Sequence, residues 1–189
     1  MCLRVAFYKN DSFPDVWFWQ GKYGRIIKNG TADEKTDWKG SDQKMGRFVN
    51  PDNSAFQIIV NSDIYVDKTG LLEYTNRAMN TDRAMICNSR PRRFGKSITA
   101  NMLAAYYSRG CDSEAMFQNY AIGKNKDFKK HLNQYDVIHL DVQWCMMDAG
   151  KPELTVSYMN RQVLKELREL YPEVDLQEAE TIYSALSCI

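Results

Sequence analysis

The sequence predicts an α/β fold in which helices flank a mainly parallel sheet and a binding site lies at the carboxyl ends of the strands. Two short apolar runs, at positions 84–88 and 137–142, have the length and composition of buried strands. The first run is followed by apolar residues at helical spacing, namely Ile98, Met102, Leu103 and Tyr106. The chain has 189 residues, 44% hydrophobic and 26% charged, so it can form one domain with a substantial core.

The beginning of the chain differs in composition from the rest. We predict an aromatic-rich N-terminal extension at 1–44 and a main domain at 45–189. The extension holds three of the four tryptophans, Trp17, Trp19 and Trp38. Its alternating run at 16–19 is compatible with a strand. Two interpretations remain open: an appendage that packs on the domain, or a translated segment upstream of a functional start at Met45. For its aromatic residues we favour packing over the stacking of nucleic-acid bases.

Two elements are predicted between Met45 and the first apolar run. Residues 56–60 form either a short helix or a strand. Asp67 is placed to N-cap a helix that ends at Ala78, because its carboxylate can accept hydrogen bonds from the first N–H groups of that helix. The side chains that this helix turns toward a core are Leu71, Leu72, Thr75 and Met79.

A basic loop, Arg90-Pro91-Arg92-Arg93-Phe94-Gly95-Lys96-Ser97, joins the first predicted strand to the next helix. Gly-Lys-Ser at such a junction is typical of loops that bind nucleotide phosphates. Gly95 lets backbone N–H groups approach phosphate oxygens, Lys96 neutralises the β- and γ-phosphates, and Ser97 ligates Mg²⁺. The pattern therefore predicts ATP and Mg²⁺ as ligands. The residues expected to bind the nucleotide are Arg92, Arg93, Phe94, Gly95, Lys96, Ser97 and Ile98, the two arginines as charge stabilisers.

A second motif, Tyr65-Val66-Asp67-Lys68-Thr69-Gly70-Leu71-Leu72, precedes the loop, and Asn101-Met102-Leu103 follows it. Together these motifs resemble the AAA-ATPase-like family of bacterial predicted ATPases, from about Met45 to the C-terminus. The resemblance implies a P-loop NTPase-like domain, which in longer members is commonly followed by a domain similar to PD-(D/E)XK nucleases. The general Walker A pattern has glycine where this chain has Arg90, but arginine is usual there in this family.

Three further elements are predicted after the helix that follows the loop. Short helices are expected within 113–120 and 127–133, and a second strand at 137–142. Asp141 follows the apolar part of that strand, where an acid can hold Mg²⁺, so it joins Ser97 as a candidate metal ligand. Val142 follows instead of a second acid. The resemblance places the family's acidic pair on a later strand.

The C-terminal part predicts two amphipathic helices. Pro152 suits the first position of one, and Pro172 ends it. The apolar stripes expected in the core are Val156, Met159, Val163, Leu167 and Leu170 on the first helix, and Leu176, Ala179, Ile182, Tyr183 and Leu186 on the second. No apolar strand ending in Asp-Glu follows before Ile189. The resemblance therefore implies an incomplete domain, truncated before the second acidic motif, and hydrolysis by this chain alone is not expected.

Charge and composition limit the remaining possibilities. The net charge of +1 provides no general attraction to nucleic acid or membrane, so only the basic loop is a candidate for such contacts. No apolar run is long enough to span a membrane, and we expect a cytoplasmic protein. The five dispersed cysteines predict reduced thiols, with Cys87 buried on its strand. We expect His131 to be solvated and His139 to lie in the second strand.

The leading functional prediction is a domain that binds ATP. One alternative is a non-catalytic module whose basic loop binds nucleic acid or an acidic protein, in a salt-sensitive way that ATP does not affect. Another is a P-loop kinase of a small molecule that uses Asp141, which would transfer phosphate to an added acceptor.

Overall fold

A computed structural model describes residues 2–7, 16–19, 45–79, 81, 83–89, 91 and 93–189 of the chain, the first two ranges as backbone only. Arg90 and Arg92, both in the basic loop, lie outside these described residues, as does most of the predicted extension. Among the helices of the described part, none combines the length and the apolar character that a membrane crossing needs.

The described chain is rich in helix, with three short strands. In chain order, the elements are β1 (Cys2–Phe7), β2 (Val16–Trp19), α1 (Ser54–Val60), α2 (Gly70–Ala78), α3 (Lys96–Tyr107), α4 (Glu114–Phe117), a 3₁₀ turn (Ala121–Lys124), α5 (Phe128–His131), β3 (Asp136–Asp141), α6 (Val142–Ala149), a second 3₁₀ turn (Pro152–Leu154), α7 (Thr155–Leu170) and α8 (Ile182–Cys188). The expected strands at 16–19 and around His139 are confirmed, and residues 56–60 are helical.

The strands form one sheet in the order β2-β1-β3. β1 pairs antiparallel with β2 and parallel with β3, where Cys2 faces Asp136 and Phe7 faces Asp141. The sheet is therefore mixed, and the prediction of a mainly parallel sheet is not confirmed. The described residues form a mixed, helix-rich arrangement of α and β elements. The P-loop NTPase-like fold stays a prediction.

The first core cluster lies between α1, α2 and α3. Its largest fully buried side chains are Phe56, Leu72, Met102, Leu103, Tyr106, Tyr107, Phe117 and Ile122. The prediction that α2 turns Leu72 and Thr75 inward is confirmed, because both are buried. Tyr106 packs edge to face on both Tyr107 and Phe117, at centroid distances of 4.8 and 5.3 Å.

The second core cluster joins β3 to α7 and α8. It buries Phe48, Val49, Ile138, Leu140, Cys145, Val163, Leu164, Leu167, Leu176, Ala179 and Ala185. Two predicted core positions are wrong, since Val156 and Tyr183 are exposed. Val156 lies in the first turn of α7, before the buried residues of that helix. On α8, the residues that pack on the cluster are Ile182, Ala185 and Leu186, and Tyr183 lies off that face. The second helix also begins later than expected, at Ile182.

The expected strand at 84–88 does not form. Residues 84–88 are described, but no strand is assigned to them. Their side chains alternate between half-buried and exposed, and Ile86 packs against the first core cluster. An apolar run favours an extended backbone, but a strand also needs a neighbour for its N–H and C=O groups. Cys87 is accordingly exposed, and the prediction that it is buried is wrong.

His131 is buried, so the prediction that it is solvated is also wrong. Its ring stacks on Tyr135, and its Nδ1 lies 2.5 Å from the Tyr135 hydroxyl. The error arises because α5 places His131 against Tyr135, whose ring packs on Tyr107 of α3, and the polarity of histidine does not reveal such a contact. The four cysteines whose side chains are described, Cys87, Cys111, Cys145 and Cys188, are free thiols.

Candidate phosphate-binding loop

The Gly-Lys-Ser sequence lies at the start of α3. Gly95 is the N-cap residue, Lys96 is the first helical residue, and the first helical hydrogen bond runs from Thr99 N–H to Gly95 C=O at 2.9 Å. The N–H groups of residues 96–98 therefore have no acceptor within the helix. They add to the partial positive charge of a helix N-terminus, which favours an anion there.

Two residues before α3 have left-handed backbones. Arg93 has φ 68° and Gly95 has φ 77°, on either side of Phe94. Glycine tolerates this region, whereas arginine enters it at a cost of roughly 1–2 kcal/mol. A left-handed residue within such a turn directs successive N–H groups toward one side, as in backbone nests that bind anions. The loop therefore has the local geometry expected of a phosphate site.

The side chains of the loop differ in exposure. Phe94 is 56% exposed, Ser97 is exposed and Lys96 is half-buried. Ile98 packs against the first core cluster, so its contribution to a ligand would come from its backbone N–H. Thr99 is buried and its hydroxyl donates to Gly95 C=O at 3.1 Å. These contacts anchor the helix start and leave the Lys96 and Ser97 positions at the surface.

Lys68 reaches this loop from the other motif. Its Nζ donates to the backbone carbonyl of Phe94 at 3.1 Å. The same Nζ lies 2.6 Å from the place where a Cβ on Gly95 would stand. In the sequence, only the family resemblance connects the two motifs, and no spacing reveals this contact.

Hydrogen bonds fix the two residues that flank Lys68 in the sequence, Asp67 and Thr69. The carboxylate of Asp67 accepts from Thr69 N–H at 2.8 Å, from the Thr69 hydroxyl at 2.7 Å and from Ala121 N–H at 2.9 Å. The Thr69 hydroxyl also accepts from Ile122 N–H at 3.2 Å. Desolvation raises the pKa of Asp67, but the hydrogen bonds from Thr69 and Ala121 outweigh it, and the pKa is below its usual value.

The predicted role of Asp67 as a helix cap is therefore corrected. α2 begins at Gly70, with Thr69 as its N-cap residue. Asp67 stands two residues before the N-cap residue, too early to cap the helix. Its carboxylate instead joins the motif to the 3₁₀ turn at Ala121–Lys124. The helix ends at Ala78 as predicted.

Asp141, the second candidate metal ligand, ends β3 and begins α6. Its carboxylate accepts from Trp144 N–H at 3.1 Å, so it caps α6. The side chain is exposed, and its oxygens have room for further contacts. No group of three or more His, Cys, Asp or Glu residues that could hold a metal ion occurs among the described residues. The metal role of Ser97 and Asp141 stays a prediction.

Comparison with protein families gives a match over most of the main domain. A model of the AAA-ATPase-like family, described as predicted AAA-ATPase, matches residues 53–188. The match includes the motif at 65–72, the loop at 90–97 and all helices from α1 to α8. No curated protein and no solved structure gave a match.

Proposed function

Because this chain belongs to the AAA-ATPase-like family of predicted AAA-ATPases, we propose that it binds ATP with the phosphates against the loop at 93–97. The observation that carries this proposal is the left-handed Gly95 at the N-cap of α3, beside N–H groups that have no helical acceptor. The donors present fit a polyphosphate: backbone N–H groups, the Lys96 ammonium and the helix N-terminus. A P-loop NTPase-like α/β fold is part of the same proposal.

Each residue of the loop has a distinct role in this proposal. Gly95 keeps the backbone free of a side chain where the ligand approaches. Lys96 supplies a positive charge for the phosphates, and Arg93, with Arg92, adds to that charge. The exposed hydroxyl of Ser97 is a suitable oxygen ligand for Mg²⁺, with Asp141 as the proposed carboxylate ligand. Bound Mg²⁺ would offset phosphate charge.

Titration calorimetry with Mg²⁺-ATP tests this proposal. We expect Lys96→Ala to weaken binding by ~1.5–3 kcal/mol, because one charge-assisted contact is lost. Lys126→Ala is the matched control, since it removes the same charge from an exposed position outside the loop. Equal affinities for the wild type and Lys96→Ala would contradict the proposal.

A second titration addresses the alternative of a nucleic-acid-binding module. A single-stranded oligonucleotide is added with and without ATP, over a range of salt concentrations. Salt-dependent binding that ATP does not change, together with no ATP binding, would support that alternative instead.

A further inference from the structure

Lys68 contacts a loop that lies 26 residues further along the chain. Its Nζ lies 3.1 Å from the carbonyl oxygen of Phe94 and against the backbone of Gly95. The ammonium is thus placed at the turn that precedes α3, next to the N-cap residue of that helix. This contact is between a charged donor and a neutral acceptor.

Lys68 is not a member of the ion pairs seen between described residues. Those pairs include Arg47 with Asp148, Arg109 with Asp136 and Lys129 with Glu114. The nearest carboxylate in sequence, that of Asp67, is directed to Thr69 and Ala121. Lys68 is also half-buried, and a partly desolvated ammonium is stabilised by an anion.

The position of Lys68 is determined by its neighbours. Thr69 is buried, and its hydroxyl and N–H group are both held by Asp67. Ala121 and Ile122 fix this pair to the body of the domain. The backbone that carries Lys68 is therefore anchored, and little conformational freedom would be lost when its ammonium meets a ligand.

We propose that Lys68 is a second phosphate-binding cation of this site, supplied by the 65–72 motif. This inference rests on the proposed function, since it assigns one more residue to the same ligand. The ammonium has three N–H donors, of which the Phe94 carbonyl takes one. The ligand class that fits is a polyphosphate, whether the triphosphate of a nucleotide or an inorganic chain.

The test is titration calorimetry of the full chain with Mg²⁺-ATP and with inorganic tripolyphosphate. We expect Lys68→Ala and Lys68→Gln each to weaken binding by about tenfold or more, because the charge is lost in both. Gln retains an N–H donor for the Phe94 carbonyl, so it separates the charge from the support of the loop. We expect Lys68→Arg, which keeps the charge, to bind within about threefold of the wild type, and Lys126→Ala to match the wild type.

The affinities of the variants for the two ligands decide whether Lys68 binds phosphate. Equal losses for ATP and tripolyphosphate would show that Lys68 binds phosphate, and a loss for ATP alone would overturn that assignment. Wild-type affinity in Lys68→Gln would also overturn it, while leaving ATP binding intact. A wild-type chain that binds neither ligand would instead overturn the proposed function. Unchanged unfolding midpoints across the variants are required for the comparison, and Lys68→Gln, which keeps a donor for the Phe94 carbonyl, carries the test if Lys68→Ala does not fold.

Discussion

The carboxylate of Glu166 on α7 accepts a hydrogen bond from the backbone N–H of Val49 at 2.7 Å. It also accepts from Phe48 N–H at 2.8 Å and from Arg47 N–H at 3.1 Å. A Cβ on Gly46 would collide with the same carboxylate and lie 2.7 Å from the carbonyl oxygen of Val49. One side chain thus ties the segment before α1 to a helix more than a hundred residues away.

Replacing Glu166 should therefore destabilise the domain. We expect Glu166→Ala to lower the free energy of unfolding by ~1.5–3 kcal/mol, because charge-assisted hydrogen bonds are lost and partly buried N–H groups remain unpaired. Glu166→Gln keeps an acceptor and should lose less. Urea denaturation measures both, with the exposed Glu173→Ala as a control. A change for Glu166→Ala no larger than for the control would contradict the assigned role.

Asn50 provides a second test, because its backbone and its side chain are both unusual. It is fully buried with φ 49°, its amide donates to Asp136 at 2.8 Å, and its side-chain oxygen accepts from Val137 N–H at 2.8 Å. We expect Asn50→Gly to lose ~2 kcal/mol or more through the two hydrogen bonds. Asn50→Ala should lose about 1 kcal/mol beyond that, because alanine resists positive φ. Equal stabilities of the two variants in denaturant would show that backbone strain is unimportant here.

Gly95→Ala should impair both the loop and its ligand binding. A left-handed backbone costs an alanine about 1 kcal/mol, and the new methyl group would displace the Lys68 ammonium. Gly150→Ala is a matched control: Gly150 has φ 75°, and a Cβ there meets no atom within 4 Å. Both variants should lose similar stability in urea, but only Gly95→Ala should lose affinity for Mg²⁺-ATP in calorimetry. Wild-type affinity in Gly95→Ala would contradict the proposed site.

Asp141 can be examined for its two roles separately. As the cap of α6, its replacement by alanine should cost about 1 kcal/mol of stability, while asparagine, which also caps helices well, should cost little. Asparagine lacks the charge that favours Mg²⁺. If Asp141 binds the metal, Asp141→Asn should lose the Mg²⁺-dependent part of ATP affinity while it keeps its unfolding midpoint. A midpoint that falls as far in Asp141→Asn as in Asp141→Ala would argue against the capping role.

The stability of the domain should fall in acid because of His139. Burial lowers the pKa of its imidazole from 6.5 to about 4, although the nearby Asp141 raises it. The folded state therefore favours the neutral ring, so this stability is present above pH 6.5 and is lost as the pH falls toward 4. The free energy of unfolding that is lost in this way is roughly 2–3 kcal/mol. His131, whose pKa burial also lowers, contributes in the same direction. We expect His139→Gln to show a smaller decrease of unfolding free energy between pH 7 and pH 4; an unchanged decrease would rule out His139 as its source.

Local patterns in the sequence identified most of the helices. The spacing of apolar residues placed α3, the expected cap at Asp67 placed the start of α2 within a few residues, and two prolines delimited α7. The family motifs at 65–72 and 90–97 were also recognisable, because they depend on residue types in a fixed order. These features are local, and each could be inferred without knowing which parts of the chain meet.

Features that depend on distant neighbours could not be predicted in this way. Residues 84–88 have the composition of a strand but lack a strand assignment, and His131 is polar but buried against Tyr135. The contact of Lys68 with Phe94 and that of Glu166 with Val49 join segments that no periodicity relates. The sequence alone determined where Gly-Lys-Ser begins a helix, since capping and helical spacing are local. Only the tertiary structure decided which charged side chain stands beside that loop, because desolvation and hydrogen-bond pairing depend on all the segments that pack together.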